Sequence, residues 1–104
     1  MESRRKTRRV PFVAKIEAQA GGFPFIALAE NISEGGISIH TASPLAEGSA
    51  VSLKFTLPET EEEIAVSGTV RHVMPGESMG VRFEELPALA LEAIHKFVLA
   101  AAAE

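Results

Sequence analysis

Apolar and polar side chains alternate along most of this chain. Val10, Phe12, Ala14, Ile16 and Ala18 interleave with Pro11, Val13, Lys15, Glu17 and Gln19, the two-residue period of a half-buried strand. Gly21-Gly22 supplies a hairpin turn, because glycine accepts the positive φ that tight turns need. Phe23 to Ala29 reads as the return strand, and Asn31 to Gly36 as a polar, glycine-ended loop. Ile37 and Ile39 predict a short third strand, followed by a loop over Ser43 to Ser49. Val51, Leu53, Phe55 and Leu57 alternate through a fourth strand, which Pro58 to Glu62 ends as an acidic turn. Ile64, Val66, Val70 and the same-parity His72 predict a fifth strand reaching Val73, with Gly68 at a bulge or bend. A turn over Pro75 to Ser78 leads to a sixth strand carrying Met79, Val81 and Phe83. Beyond Pro87 the period changes. Leu86, Ala90, Ala93, Ile94, Phe97, Val98 and Ala101 recur at steps of three and four, the stripe of an amphipathic helix.

Six short strands at this spacing predict an all-β core, a small antiparallel β-barrel whose closure removes exposed edges, followed by a C-terminal α-helix. The expected organisation is one domain: a basic arm over residues 1–9, the barrel over 10–86 and the helix over 87–104. The helix stripe is expected to pack on the barrel or on a partner.

Composition narrows the chemistry. The 104 residues contain no Cys, which excludes a disulfide scaffold, a thiolate nucleophile and cysteine-ligated metal centres. There is no Asp either, and no nucleophile-elbow sequence, so catalysis has little support and an enzyme is not expected. His40, His72 and His95 lack metal-ligand spacing. The glutamates Glu59, Glu61, Glu62 and Glu63 read as a solvated face. No cofactor or metal is expected. No apolar stretch is long enough to span a bilayer, and nothing near the start reads as a secretory signal, so the expected compartment is the cytoplasm.

Charge is unevenly distributed. The net charge is −4, yet residues 4–9 (Arg4-Arg5-Lys6-Thr7-Arg8-Arg9) hold five of the ten basic residues. Residues 10–104 carry five basic residues against thirteen Glu, a net of −8. A basic arm on an acidic body points to an anionic partner gripped at one end.

Two segments have side chains suited to that partner. Guanidinium forks match phosphate oxygens bidentately, and the same fork matches O6 and N7 of guanine. In the loop, Asn31 and Ser33 offer short hydrogen-bonding side chains, while Gly35 and Gly36 let backbone approach a flat ligand closely. The order is R-R-x-x-x-R, a strand, a hairpin, a second strand, then N-x-S-x-x-G.

In this order and setting the sequence resembles the PilZ domain family, bacterial receptor modules for cyclic di-GMP. The family's R-x-x-x-R motif is matched by Arg5-Lys6-Thr7-Arg8-Arg9 and its [D/N]-x-S-x-x-G motif by Asn31-Ile32-Ser33-Glu34-Gly35-Gly36. Val10-Pro11, Gly68-Thr69-Val70, Gly80-Val81-Arg82-Phe83 and the C-terminal helix extend the resemblance over essentially the whole chain. It implies that Arg4, Arg5 and Arg9 contact guanine edges and phosphates from the arm. It also implies that Asn31 and Ser33 hydrogen-bond one guanine, with Gly35 and Gly36 permitting close approach. Arg8 repeats the spacing from Arg4, which leaves the arginine register open; Val10-Pro11 directly after Arg9 favours Arg5 with Arg9. Relatives often carry Asp where Asn31 stands and Trp where His72 stands. A neutral Asn is a weaker acceptor than a carboxylate, and His72 either stacks near a base or caps the barrel end without touching ligand.

The implied role is a receptor or adaptor that binds cyclic di-GMP, orders its arm and signals to a partner protein, as a monomer or weak homodimer. Two alternatives stay open. One is a nucleotide-independent protein-interaction module of the same fold. The other is a small single-stranded nucleic-acid binder, disfavoured by the acidic body and by strand faces without an aromatic platform.

Overall fold

The computed structural model describes residues 9–58 and 61–102. Within them seven strands and one helix follow in order: β1 (Val10–Pro11), β2 (Lys15–Ala20), β3 (Phe23–Ile32), β4 (Gly36–His40), β5 (Ala50–Thr56), β6 (Glu63–Met74), β7 (Ser78–Phe83) and α1 (Ala88–Ala102). Strands β3, β2, β5, β6, β7 and β4 are hydrogen-bonded neighbours in that order, every pair antiparallel, and β4 pairs back to β3. Six strands therefore close a barrel, as the alternation predicts.

The seventh strand comes from an interruption. One continuous strand is expected from Val10 onward, but β1 and β2 are separated at Phe12–Ala14. Val10 pairs with Ile32 and Lys15 with Leu28, so the two segments lie along β3 one residue out of register. Hydrogen bonds from Phe12 N–H to Glu30 O (3.1 Å) and from Ala29 N–H to Ala14 O (2.8 Å) hold the intervening chain against β3. Burial of Phe12 accompanies the break. Its ring meets Phe55 edge-on at 5.7 Å inside the barrel and Phe97 of α1 at 5.4 Å, linking core and helix.

Alternation sends Ile16, Ile39, Leu53, Phe55, Ile64 and Val81 into one core. Ala90, Ile94 and Val98 of α1 join it, with Leu86, Ala93, Phe97 and Ala101 packed at its margin. The predicted helical stripe thus covers the barrel. The helix starts where Leu91 N–H reaches Pro87 O at 2.9 Å, consistent with a proline in the first turn.

Two bulges break the alternation, one beside the N-x-S-x-x-G segment and one across the barrel end from it. Opposite β4, Ala29 pairs with Ile39 but Asn31 with Ser38, leaving Glu30 as an extra residue. Inward positions in β3 thereby change from Ala27 and Ala29 to Ile32. Asn31 and Ile32 belong to the strand and Gly36 opens β4, so the loop expected over Asn31 to Gly36 shortens to Ser33–Gly35. Opposite β7, Val70 pairs with Val81 but His72 with Gly80, leaving Arg71 as the extra residue.

The bulge in β6 is therefore at Arg71, not at Gly68. Val70 is inward, Arg71 and His72 are both exposed, and Val73 packs against the core. His72 does not share the inward face of Ile64, Val66 and Val70. Gly68 answers instead to a close approach, since a Cβ there would collide with the Val81 side chain and the Arg82 carbonyl oxygen. Gly36 is required for a similar reason, because its Cβ would overlap the Val81 carbonyl oxygen across the β4–β7 pair.

Candidate functional site

The loop between β3 and β4 is built on Ser33, a buried polar residue with only 2% of its surface exposed. Its Oγ accepts hydrogen bonds from the Gly35 and Gly36 N–H groups, each at 3.2 Å, while its own N–H reaches Gly36 O at 2.9 Å. A short hydroxyl side chain bonding backbone two and three residues ahead is a local turn device. The hydroxyl thus fixes the backbone of the two glycines. Gly35 stays exposed beside it.

Asn31 stands two residues before Ser33, at the end of β3. Its Oδ1 accepts a 2.7 Å hydrogen bond from Arg9 Nη1. That contact joins the end of the R-x-x-x-R segment to the start of N-x-S-x-x-G across 22 positions of sequence. Arg4, Arg5 and Arg8 lie outside the described residues.

Next to this contact is a cleft of about 320 Å³ lined by Arg9, Ser33, Gly35, Gly36 and Val81, together with Arg71, His72, Gly80 and Arg82. Of the sequence-predicted residues, Arg9, Ser33, Gly35, Gly36 and His72 converge here. Asn31 is tied to the cleft through Arg9. Arg71 and Arg82 belong to neither motif, and isolated arginines at strand positions carry no local signal. A weaker signal does exist in residue type. After position 9 the basic residues are Lys15, Lys54, Arg71, Arg82 and Lys96; both arginines line this cleft and no lysine does.

The electrostatics favour an anion. Among the described residues no carboxylate lines the cleft. The carboxylate within the loop and the nearest one before it are engaged elsewhere. Glu34 meets His95 Nδ1 of α1, and Glu30 contacts His40 Nδ1 and Ser38 Oγ, both at 3.3 Å. A fork of guanidinium donors with exposed glycine backbone can bind phosphate or a guanine edge. Among the described residues, no group of three or more histidine or acidic side chains is placed to hold a metal ion, and no helix is long and apolar enough to cross a membrane.

A larger cleft of about 580 Å³ lies on the outer face of β2, β5 and β6, between Pro24 and Pro87. Volume alone would favour it. Its ionisable side chains are Glu17, Lys54 and Glu85, a mixed set with no common chemistry, and it contains none of the motif residues. The smaller cleft is the candidate site.

Comparison with solved structures finds the same barrel. The Bacillus subtilis inhibitor of motility (MotI/DgrA) matches with a TM-score of 0.83 at 25% identity, over 95% of this chain and 51% of that one. This chain thus spans about half the length of that relative. The PilZ domain of Escherichia coli YcgR, solved with c-di-GMP, matches at 0.74 and 14% identity over 96% and 92% of the two chains. The MrkH–c-di-GMP complex from K. pneumonia matches at 0.69 and 18% identity, over 95% of this chain and 52% of that one. At the lower identities these are likenesses of fold. No curated protein matches the chain by sequence. The PilZ domain model matches residues 3–100, nearly the whole length, and this chain belongs to the PilZ domain family.

Proposed function

We propose that this chain binds cyclic di-GMP in the cleft beside Asn31 and Ser33, and works as a cytoplasmic receptor that passes the signal to a partner protein. The observation that carries the reading is the Arg9–Asn31 hydrogen bond at the mouth of a cleft free of carboxylates among the described residues. That bond brings together Arg9 and Asn31, one residue from each motif and 22 positions apart, which supports the reading. The solved complexes of YcgR and MrkH with c-di-GMP have the same fold.

In this reading Arg5 and Arg9 supply forks to phosphates and guanine edges, and Arg4 adds charge. Asn31 Oδ1 exchanges its bond to Arg9 for one to a guanine N–H. Gly35 and Gly36, held by Ser33, present backbone at close range. Ligand then bridges arm and barrel, and differential affinity for the bridged state drives the change of surface. The helix offers a readout surface nearby: Leu91 and Leu99 are exposed one helical turn either side of His95, which touches Glu34 of the loop.

Isothermal titration with cyclic di-GMP, and with GTP and cyclic GMP as competitors, tests the reading. Each charge-assisted contact contributes about 1.5–3 kcal/mol, so Arg5→Ala or Arg9→Ala should weaken binding roughly ten- to hundredfold. Melting temperature should barely move, because the Arg9–Asn31 bond is exposed. Equal affinity in the unaltered chain and both variants would overturn the reading.

A further inference from the structure

We propose that the outer face of β2 and β3, where Ile26 and Leu28 stand beside Glu17 and Lys15, docks against the same face of a second copy of this chain to form a two-fold dimer. The inference is independent of the cyclic di-GMP reading, since none of these four residues lines the cleft beside Ser33.

The apolar side chains come first. Where one face of an antiparallel sheet meets water, its outward positions are normally polar or small. Strand β5 keeps to this, with Ala50, Ser52, Lys54 and Thr56 outward, and β2 does so with Lys15, Glu17 and Gln19. Strand β3 does the reverse. It turns Ala27 and Ala29 into the core and leaves Ile26 60% and Leu28 49% exposed. Val13, 78% exposed, adds to them from the segment held against β3 by the Phe12 and Ala14 backbone bonds. The barrel's own packing therefore makes no use of the larger apolar side chains of this strand, and neighbouring large apolar groups on a surface mark a contact site.

Charge then selects the occupant. Lys15 is opposite Leu28 and Glu17 is opposite Ile26, and all four side chains are exposed. Lys54 of β5 is opposite Glu17, yet among the described residues neither Lys15, Glu17 nor Lys54 closes an ion pair. The face thus has two adjacent rows, Lys15–Leu28 and Glu17–Ile26. A two-fold axis between two copies, perpendicular to the strands and passing between these rows, exchanges one row for the other. Each Lys15 then meets Glu17 of the second copy, and each Leu28 meets Ile26 of the second copy. An acidic partner would leave Glu17 opposed by like charge, and a basic partner would do the same to Lys15. The reversed pattern of the face itself satisfies both, which is the self-complementarity that a two-fold contact requires.

The two kinds of contact do different work. Exposed charge pairs fix register more than they add strength, and the apolar side chains supply the attraction. Two strands on the convex outside of a small barrel make a contact at the small end of interface sizes, so the dimer should dissociate in about the micromolar to millimolar range.

Sedimentation velocity on the full chain without ligand, from about 10 µM to 1 mM, tests this. The unaltered chain should pass from monomer to dimer across that range. I26S/L28S should weaken association about tenfold or more, with an unchanged melting temperature because both side chains are exposed. K15E and E17K should each weaken it as well, since either substitution sets like charges together at both symmetric contacts. A mixture of K15E with E17K should recover association, because every contact between the two variants is again between opposite charges. A monomer at every concentration would overturn the proposal and leave the face to a different partner. A dimer undiminished in I26S/L28S, or charge variants whose mixture associates no better than each alone, would overturn it too.

Discussion

Replacing Ser33 with Ala separates two roles that one hydroxyl could have. In the structure Ser33 Oγ accepts from the Gly35 and Gly36 amides at 3.2 Å and faces the Gly36 carbonyl at 3.4 Å. Alanine removes the acceptor but not the burial. The Gly36 amide is buried, whereas Gly35 is exposed and can turn to water. One buried donor left without a partner costs about 1–3 kcal/mol. For a domain near 100 residues, each kcal/mol lowers the melting temperature by roughly 4–8 °C, so Ser33→Ala should melt at least about 4 °C lower than the unaltered chain. Differential scanning calorimetry without ligand reads that shift directly. Amide hydrogen exchange should show protection lost at Gly35 and Gly36 while the β5–β6 core keeps its own. Affinity should fall as well, because the glycine backbone is no longer held. The reasoning is refuted if the ligand-free melting temperature and both glycine amides are unchanged and only affinity drops. Ser33 would then act by touching ligand, not by holding the loop.

Other expectations follow from packing. Gly36→Ala forces a methyl group into the Val81 carbonyl oxygen, and since backbone cannot swing aside it should destabilise by about 1–3 kcal/mol or more, measured by urea denaturation. Gly68→Ala meets Val81 and Arg82 in the same way and should also unfold at lower urea. Phe12→Ala removes the ring between Phe55 and Phe97; a loss of about 3–5 kcal/mol is expected, a large share of a small domain's stability.

Most of the barrel is legible in the sequence because period-two alternation reports which face is buried, and β5 shows this without exception from Ala50 to Thr56. The rule fails wherever one strand has an extra residue. Pairing to β4 and β7 decides that Glu30 and Arg71 are the extra residues, and pairing is information the local sequence does not hold. For that reason Asn31 reads as loop from its polar neighbours although it is strand, and parity places His72 on the inward face although it is outward. The split at Phe12 is hidden in the same manner: Val10, Phe12 and Ile16 keep one parity through it. The site is half visible. Asn31, Ser33, Gly35 and Gly36 sit within six positions and form a readable motif, with Arg9 at a fixed remove. Arg71 and Arg82 reach the same cleft only through the folding of β6 against β7. A solitary exposed arginine has no periodicity to betray it.

The bulge at Arg71 also bears on insertions and deletions. If Arg71 is struck from the chain, Val70 is followed by His72 and then Val73. Pairing can then run Val70 with Val81, His72 with Gly80 and Val73 with Met79, the partners they already have. The barrel's ladder needs no residue at that position. A shortened chain should therefore fold with unbroken alternation in β6 and melt no lower than the parent, while lacking one arginine at the cleft. A cleft of a closed sheet can thus gain a charged side chain by a single inserted residue, with no loop lengthened and no core side chain exchanged.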